Sequence, residues 1–390
     1  MKIAIDCRSV SGSGKAELAG VAHYTARLVR HLLSLDEDNR YILLFDDHAH
    51  KDRIHEMIGS NHSVQTKILP LSGWKRMLPY AYSHHAAAKS IMSSGVDVTH
   101  FPSGHLPTGF RGKSVLTVHD MATHTHPEWF PTKGFFARRI VASAGPSRAT
   151  RIIATSNATK TDLQRSFAIM PGKIDVIYEG VDQAPAKDSV DAQLAIKRLG
   201  LAEPYLLCMG TIEPRKNVMA VVEAFGVLCE KFPKLVGDTH LVVAGAIGWQ
   251  GEIVRARVVE LNSGFRKRGP HIDMPGYLSE QDKFHLLSRA LAFVAPSLGD
   301  HCGRAVLEAM ASGVPIIASD RGVLPELAAR TGVIVDPTHR AELVLAMKHM
   351  LEDSAKRAEW GRKALLRSLE FSWDRAAGET LATYKKAAKL

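Results

Sequence analysis

One stretch decides the fold of this chain: Ala295-Pro296-Ser297-Leu298-Gly299-Asp300-His301-Cys302-Gly303-Arg304-Ala305-Val306-Leu307-Glu308-Ala309-Met310-Ala311. An apolar strand precedes it, and Gly303 opens a short helix. Asp300 falls in the loop, and Glu308 falls eight positions later on the helix. Carboxylates accept hydrogen bonds from sugar hydroxyls, and the N–H groups of a helix start attract phosphate. The run therefore favours a ligand that carries both sugar hydroxyls and phosphate. The alternatives are that two acids at this spacing occur by chance, or that acids near a helix start stabilise the helix dipole.

Apolar runs alternate with helix-length patterns along nearly the whole chain. Val, Ile and Leu dominate these runs, as in parallel strands buried on both faces. Strands that alternate with helices predict an α/β protein with doubly wound sheets. The predicted strands form two series, separated by a polar stretch at 182–188: 2–7, 41–45, 65–69, 98–101, 114–119, 151–155 and 175–178, then 205–209, 240–244, 272–276, 292–295, 315–318 and 333–335. We expect two facing Rossmann-like domains with the ligand in the cleft between them.

The run around Glu308 resembles the glutamate–seven–glutamate motif of retaining GT-B glycosyltransferases in glycosyltransferase family 4, group 1, mannosyltransferase-like. The segment Leu307-Glu308-Ala309-Met310-Ala311 matches the helical part. Asp300 stands where the family usually has Glu, and His301-Cys302 replaces Gly-Phe. The resemblance implies an acceptor domain at 1–183, a nucleotide-sugar-binding domain at 200–371, and a last helix at about 372–390 that packs back on the first domain.

Two adjacent cations, Arg215 and Lys216, follow the first strand of the second series. Arg offers a planar fork and Lys a point charge, so together they can neutralise a diphosphate. The alternative is a solvated loop with exposed charges. The resemblance implies that this pair holds the donor diphosphate and that Glu308 holds the ribose. It also implies a phosphate-binding helix start at Gly303, with Cys302 beside it.

Further candidate residues follow strands of both domains. His119 is expected at the end of a strand facing the cleft, where the resemblance implies contact with the transferred sugar; a hydrogen-bonded core histidine is the alternative. Gly20 lies between the first strand and helix, where glycine lets backbone N–H groups approach a phosphate or sugar. Tyr277 and Leu278 are candidates for lining the base, with an ordinary core role as the alternative.

These features predict a metal-independent retaining glycosyltransferase. It would move a hexose, with GDP-mannose as the leading donor, to a glycan or lipid-linked acceptor in cell-surface polysaccharide or glycolipid synthesis. Asp300 and His119 would position the sugar. We expect no metal site and no cofactor, because no Asp-x-Asp motif stands at a strand end and the two cations can take the metal's role. The alternatives are a nucleotide-sugar epimerase or hydrolase on the same plan, and a binding protein without turnover.

Bulk properties bound the partners and the compartment. The chain has 390 residues, a net charge of +10, and four cysteines without metal-ligand spacing. No signal peptide or transmembrane run is apparent, so we expect a cytoplasmic protein. The sequence has no basic block with interleaved aromatic residues, so we expect no nucleic-acid partner. Residues 74–78 and 135–141 mix aromatic, aliphatic and basic side chains, which suits peripheral contact with an anionic membrane at its inner face, although core-facing helices explain them as well.

Overall fold

A computed structural model of the chain describes residues 1–10, 20–46, 49, 51–59, 64–69, 80–130, 145–184, 190–265, 269–300 and 302–390, excepting the side chains of 80–85. The chain divides into two compact units. The first domain comprises Met1–Pro127, Thr132–Gly180 and Trp373–Leu390, and the second comprises Glu128–Pro131 and Val181–Ser372. His301 and the segments 74–78 and 135–141 lie outside the described residues.

The first domain contains a seven-stranded parallel sheet with the order β3-β2-β1-β4-β5-β6-β7. Its strands are β1 Lys2–Asp6, β2 Arg40–Asp46, β3 Val64–Leu69, β4 Val98–Phe101, β5 Ser114–Val118, β6 Arg151–Ala154 and β7 Ile174–Val176. Its helices are α1 Val21–Leu35, α2 Lys51–Ile58, α3 Tyr80–Met92, α4 Ala122–Thr125 and α5 Asn157–Phe167.

The second domain contains a six-stranded parallel sheet with the order β10-β9-β8-β11-β12-β13. Its strands are β8 Tyr205–Met209, β9 His240–Ala244, β10 Ile272–Gly276, β11 Ala292–Ala295, β12 Ile316–Ser319 and β13 Gly332–Val335. Its helices are α6 Val190–Arg198, α7 Val218–Lys231, α8 Pro233–Val236, α9 Gly251–Gly264, α10 Glu280–Arg289, α11 Arg304–Ala311, α12 Leu324–Ala328, α13 Arg340–Glu352 and α14 Ser354–Ser368.

Both sheets confirm the predicted α/β class with Rossmann-like topology. Counted from the first strand of each domain, the order 3-2-1-4-5-6 is that of dinucleotide-binding folds. Each of the thirteen predicted strands is present, and no strand end differs from its prediction by more than two residues. The strand predicted from Pro315 begins at Ile316, because proline has no N–H to donate to a ladder. Pro315 instead accepts a hydrogen bond from Phe293 N at 2.9 Å through its carbonyl.

Apolar side chains cover both faces of each sheet, as the continuous Val, Ile and Leu runs predict. In the first domain, Ile3 and Ile5 point into one core with α1, while Ala4 points into the other core. This alternation is the period-2 pattern of a strand buried on both sides. Within the described residues, no helix is long and apolar enough to cross a membrane.

A last helix, α15 Trp373–Lys389, belongs to the first domain and packs on α1 and the sheet. Its Tyr384 hydroxyl lies 2.7 Å from His100 Nδ1 on β4, and both groups are buried. Lys386 donates to Asp175 at 2.7 Å, where Arg151 donates as well. One buried bond and one ionic cluster therefore attach the end of the chain to its first half.

Candidate active site

The second sheet reverses its strand order between β8 and β11, which are neighbours in the sheet. Loops that follow two such strands meet at the carboxyl edge, where doubly wound folds bind ligands. Leu298 N donates to the carbonyl of Arg215 at 2.9 Å, and the Asn217 amide donates to the carbonyl of Pro296 at 3.1 Å. The loop after β8 and the loop after β11 are thus joined into one structure.

Lys216 and Asp300 form an ion pair at this edge. Lys216 Nζ donates to Asp300 Oδ2 at 2.5 Å, and Gly303 N donates to Asp300 Oδ1 at 3.1 Å. Burial by itself would raise the pKa of the Asp300 carboxyl. The charges of Lys216 and Arg215 and the bond from Gly303 outweigh it and hold that pKa far below its usual range. Asp300 is therefore an ionised, buried carboxylate facing the two cations.

Arg215 lies in the short 3-10 turn Pro214–Lys216, within the loop after β8. Its Nη2 donates to Glu213 Oε1 at 2.9 Å, and its Nη1 donates to the carbonyl of Gly299 at 3.4 Å. Each predicted diphosphate cation thus has an acidic partner in the loops themselves. These carboxylates keep the cations in place, and an incoming diphosphate would have to compete with them.

Gly303 precedes α11 with φ +63°, a left-handed conformation that favours glycine. A Cβ at this position would lie 2.3 Å from Leu327 Cδ1. Glycine is therefore required both by the backbone angle and by the close packing of α12. The Gly303 N–H donates to Asp300 Oδ1 at 3.1 Å, so its hydrogen bond is made within the loop.

Glu308 lies on α11, and its side chain is 7% exposed. Lys283 Nζ donates to its Oε1 at 2.6 Å, and Arg304 Nε donates to the same oxygen at 2.9 Å. Arg304 is also bonded to Glu280 at 2.6 Å. The predicted ribose-binding carboxylate thus sits in a network of charges shared by α10 and α11.

The remaining predicted residues of the second domain occupy different surroundings. Tyr277 directly follows β10 and is 62% exposed, whereas Leu278 beside it is buried. Tyr277 thus presents much of its ring to solvent, while the Leu278 side chain belongs to the packed interior. Cys302 is partly exposed beside Gly303.

In the first domain, His119 follows β5. Its Nε2 lies 2.7 Å from the carbonyl of Pro102, its Nδ1 lies 3.3 Å from Glu179 Oε1, and the Tyr24 ring packs edge-on at 4.6 Å. Burial alone would lower its pKa. The hydrogen bond and charge of Glu179, the Pro102 carbonyl and the charge of Asp120 reverse that effect, so the pKa of His119 is raised. Two acceptors facing the two ring nitrogens favour the imidazolium.

Gly20 is the residue before α1, with φ +52°, and apart from its chain neighbours no atom in the described part of the chain lies within 4 Å of the position that a Cβ would take. The backbone angle, rather than lack of space, favours glycine there.

Several charged partners of His119 and Glu308 were not predicted from the sequence. Glu179 lies 60 positions after His119, and no spacing rule connects the two. The pairing of Arg304 with Glu308 could have been found, because residues four apart on a helix are neighbours. Lys283 lies 25 positions before Glu308 and meets it only through the packing of α10 against α11.

Two family models match the chain. The model for glycosyl transferases group 1 matches residues 190–367, and the model for glycosyltransferase family 4 matches residues 18–184. O-antigen chain mannosyltransferase B of Escherichia coli is 24% identical over 95% of this chain and 97% of its own length. D-inositol 3-phosphate glycosyltransferase of Salinispora tropica is 31% identical over 62% of this chain, and the match spans about half of that relative, 52%.

Solved structures show the same fold. Sucrose-phosphate synthase from Thermosynechococcus elongatus superimposes with a TM-score of 0.74 at 20% identity, over 99% of this chain and 98% of that one. HepE of Anabaena, solved with UDP and glucose, gives 0.73 at 16% identity over 99% of both chains. With two parallel Rossmann-like sheets and a family model matching each half, the chain belongs to the GT-B glycosyltransferases of glycosyltransferase family 4.

Proposed function

We propose that this glycosyltransferase works with retention of configuration and moves a hexose, with mannose favoured, from a nucleotide diphosphate sugar to a glycan or lipid-linked acceptor. The observation that carries the proposal is the pair of cations at the strand-order reversal of the second sheet, Lys216 paired with Asp300 and Arg215 paired with Glu213. The name of the Escherichia coli relative, an O-antigen chain mannosyltransferase, supports mannose as the sugar and cell-surface polysaccharide or glycolipid synthesis as the setting.

The chemistry follows from where charge develops. Transfer breaks the bond between the anomeric carbon and the diphosphate, so negative charge grows on the leaving oxygen. In the proposal, Arg215 and Lys216 exchange Glu213 and Asp300 for the phosphate oxygens and stabilise that charge. Fixed groups of this kind commonly contribute about 100- to 1000-fold in turnover. A bound diphosphate would then supply part of the negative charge that Glu213 and Asp300 supply to the two cations when no ligand is bound.

The other predicted residues take their roles around this centre. Glu308 accepts from the ribose, and Tyr277 and Leu278 line the base. Cys302 and Gly303 shape the loop beside the phosphates. Asp300 and His119 are assigned to the transferred sugar, and Gly20 to the close approach of backbone N–H groups to the donor.

The proposal is tested by donor screening followed by product analysis. Thermal shifts with GDP-mannose, UDP-glucose and other nucleotide sugars identify the donor, since ligand at 100 times its Kd stabilises by about 2.7 kcal/mol. Proton NMR of the first product then reports the anomeric configuration. We expect the α anomer from an α-linked donor. A β product would contradict retention, and release of free sugar or epimer without acceptor would favour the hydrolase or epimerase alternative.

Metal independence is a separate prediction. The two cations are proposed to supply the charge that a divalent ion supplies in metal-dependent transferases. Initial rates of donor consumption in an excess of EDTA should equal those with added Mg²⁺ or Mn²⁺. A rate that collapses in EDTA and returns with either ion contradicts the assignment of the diphosphate to Arg215 and Lys216.

Membrane contact remains a proposal that rests on the sequence of residues 74–78 and 135–141. A cytoplasmic enzyme with a lipid-linked acceptor would gain from binding at the inner face of the membrane. Sedimentation with anionic and neutral vesicles tests it, and equal partitioning to both would rule out electrostatic anchoring.

A further inference from the structure

Four charged side chains, Glu308 among them, form a ring of ion pairs between α10 and α11. Glu280 and Lys283 come from α10, and Arg304 and Glu308 come from α11. Lys283 Nζ lies 2.6 Å from Glu308 Oε1 and 3.3 Å from Glu280 Oε1, and Arg304 joins the same two acids at 2.9 and 2.6 Å. Two cations balance two acids, so the ring as a whole is neutral.

The ring uses only one oxygen of Glu308. Lys283 and Arg304 both donate to Oε1, and no described residue donates to Oε2. A carboxylate held from two directions through one oxygen cannot turn freely about its last torsion. Glu308 is therefore fixed with one oxygen occupied by the protein and the other available to accept from a ligand.

Stability alone is a weak reason for this arrangement. Exposed ion pairs contribute little to stability, and buried pairs lose much of their attraction to desolvation. The side chains of Lys283 and Glu308 are only 14% and 7% exposed, so both have left most of their water. What such a ring does supply is a fixed acceptor, because a group already held in its bound orientation loses little freedom when a ligand arrives.

We propose that Lys283 and Arg304 are positioning residues that aim Oε2 of Glu308 at a ribose hydroxyl of the nucleoside diphosphate. This inference rests on the proposed function, in which Glu308 holds the ribose. A site built to accept from a hydroxyl discriminates against the analogue without it, since the acceptor is then left buried and unpaired. Lys283 and Arg304, here called the clamp, thereby make the second domain selective for ribonucleotides over deoxyribonucleotides.

The test compares ligands that differ by one hydroxyl. GDP and UDP are first titrated calorimetrically into the wild-type protein, and the tighter of the two is then compared with its 2′-deoxy and 3′-deoxy forms. We expect at least one deoxy form to bind about 10-fold or more weakly, the usual scale for a hydrogen bond to a charged group. Lys283→Met keeps the aliphatic stem but removes the charge, so it should weaken binding of the ribo form and change binding of that deoxy form little. The ratio of the two Kd values, deoxy to ribo, should therefore fall toward one.

Matched variants separate positioning from folding. Lys363→Met removes a lysine that pairs with Glu359 on the exposed face of α14 and should leave the ratio intact. Lys283→Arg keeps a donor and should retain most of the ratio, and Arg304→Leu repeats the comparison from the other side of the ring. If Lys283→Met and Arg304→Leu both keep the wild-type ratio, the inference is overturned. It is also overturned if both variants fail to fold while Lys283→Arg folds and still lacks the ratio, because the two cations are then needed for structure alone.

Glu308→Gln distinguishes this inference from the function on which it rests. If neither diphosphate binds the wild-type protein, or if Glu308→Gln keeps the ratio, the proposed ribose role of Glu308 is wrong. If Glu308→Gln abolishes the ratio and the two clamp variants do not, Glu308 binds ribose without help and only the clamp is wrong.

Discussion

Lys216 links the proposed chemistry of this protein to its stability at the scale of a single residue. Its ammonium is the closest cation to Asp300, and that carboxylate is buried. A buried charge that loses its partner is costly to the fold. The same contact that places Lys216 for a diphosphate therefore also keeps Asp300 ionised when no ligand is bound.

Lys216→Ala should lower turnover by about 100- to 1000-fold, because a fixed cation facing the leaving group is lost. It should also lower the free energy of unfolding of the second domain, since Asp300 is left with Arg215 and Gly303 as its remaining partners. Adding Asp300→Asn should restore stability without restoring turnover. Steady-state kinetics and urea unfolding measure the two effects. Turnover close to that of the wild type in Lys216→Ala would show that this lysine does not act on the donor.

Asp300→Asn keeps the shape of the side chain and an oxygen for the Gly303 N–H, and removes the charge that competes for Lys216. Free nucleoside diphosphate should then bind about fivefold more tightly, the scale of roughly one modest ion pair. Transfer should nevertheless fall severely if Asp300 accepts from the sugar hydroxyls as proposed. Calorimetry with free diphosphate and initial rates with donor give the two values. Weaker diphosphate binding would place Asp300 in the phosphate site or in the fold instead of the sugar site.

At the scale of elements, the start of α11 brings two constraints together. The loop after β11 ends at Gly303 in a left-handed conformation, and α12 packs directly against it. Val323 N, just before α12, donates to the carbonyl of Asp300 at 2.7 Å. The position of Asp300 is thus determined by two helices as well as by its own ion pair.

Gly303→Ala should destabilise the second domain by roughly 2 to 4 kcal/mol, combining left-handed strain of about 1–2 kcal/mol with crowding of Leu327. Gly264→Ala is the matched control in the same domain, because Gly264 ends α9 and, apart from its chain neighbours and its own helix backbone, no atom of the described residues lies within 4 Å of its Cβ position. That control should be neutral or stabilising by up to about 1 kcal/mol. Chemical unfolding of both variants decides the matter, and equal stabilities would show that the loop relaxes around the new methyl group.

At the scale of the whole molecule, local patterns predict more than long-range pairing does. The thirteen strands were predictable because continuous Val, Ile and Leu runs are characteristic of parallel sheets. The loop after β11 could be recognised from the sequence because all of its residues lie within one short continuous segment. Lys283 beside Glu308 and Tyr384 beside His100 were not, since 25 and 284 positions separate them. Such contacts depend on how helices pack, and no spacing in the sequence records that.

The Tyr384–His100 contact makes the attachment of α15 sensitive to acid. His100 bonds Tyr384 through Nδ1 and Thr117 through Nε2, and burial lowers its pKa to about 3. The unfolded chain takes up a proton near pH 6.5, whereas the folded protein does so only near 3. Between these values the unfolded state binds more protons, so stability rises with pH and falls on acidification.

His100→Gln should therefore flatten the stability profile below pH 6.5. From pH 6.5 to 5, the neutral His100 should account for about 1.6 kcal/mol of lost stability in the wild-type protein, because the slope grows from about half of 1.36 kcal/mol per pH unit at pH 6.5 to nearly the full value at pH 5. The variant lacks the titrating ring, so its own loss over that interval should be smaller by about this amount, whatever its stability at neutral pH. Hydrogen exchange of the β1 amides, Lys2–Asp6, reports the opening of the first domain alone. His31→Gln is a suitable control because that ring is paired with the exposed Asp374 on the surface. If the wild-type protein and His100→Gln show the same slope between pH 6.5 and 5, protonation of His100 does not govern the opening of the first domain.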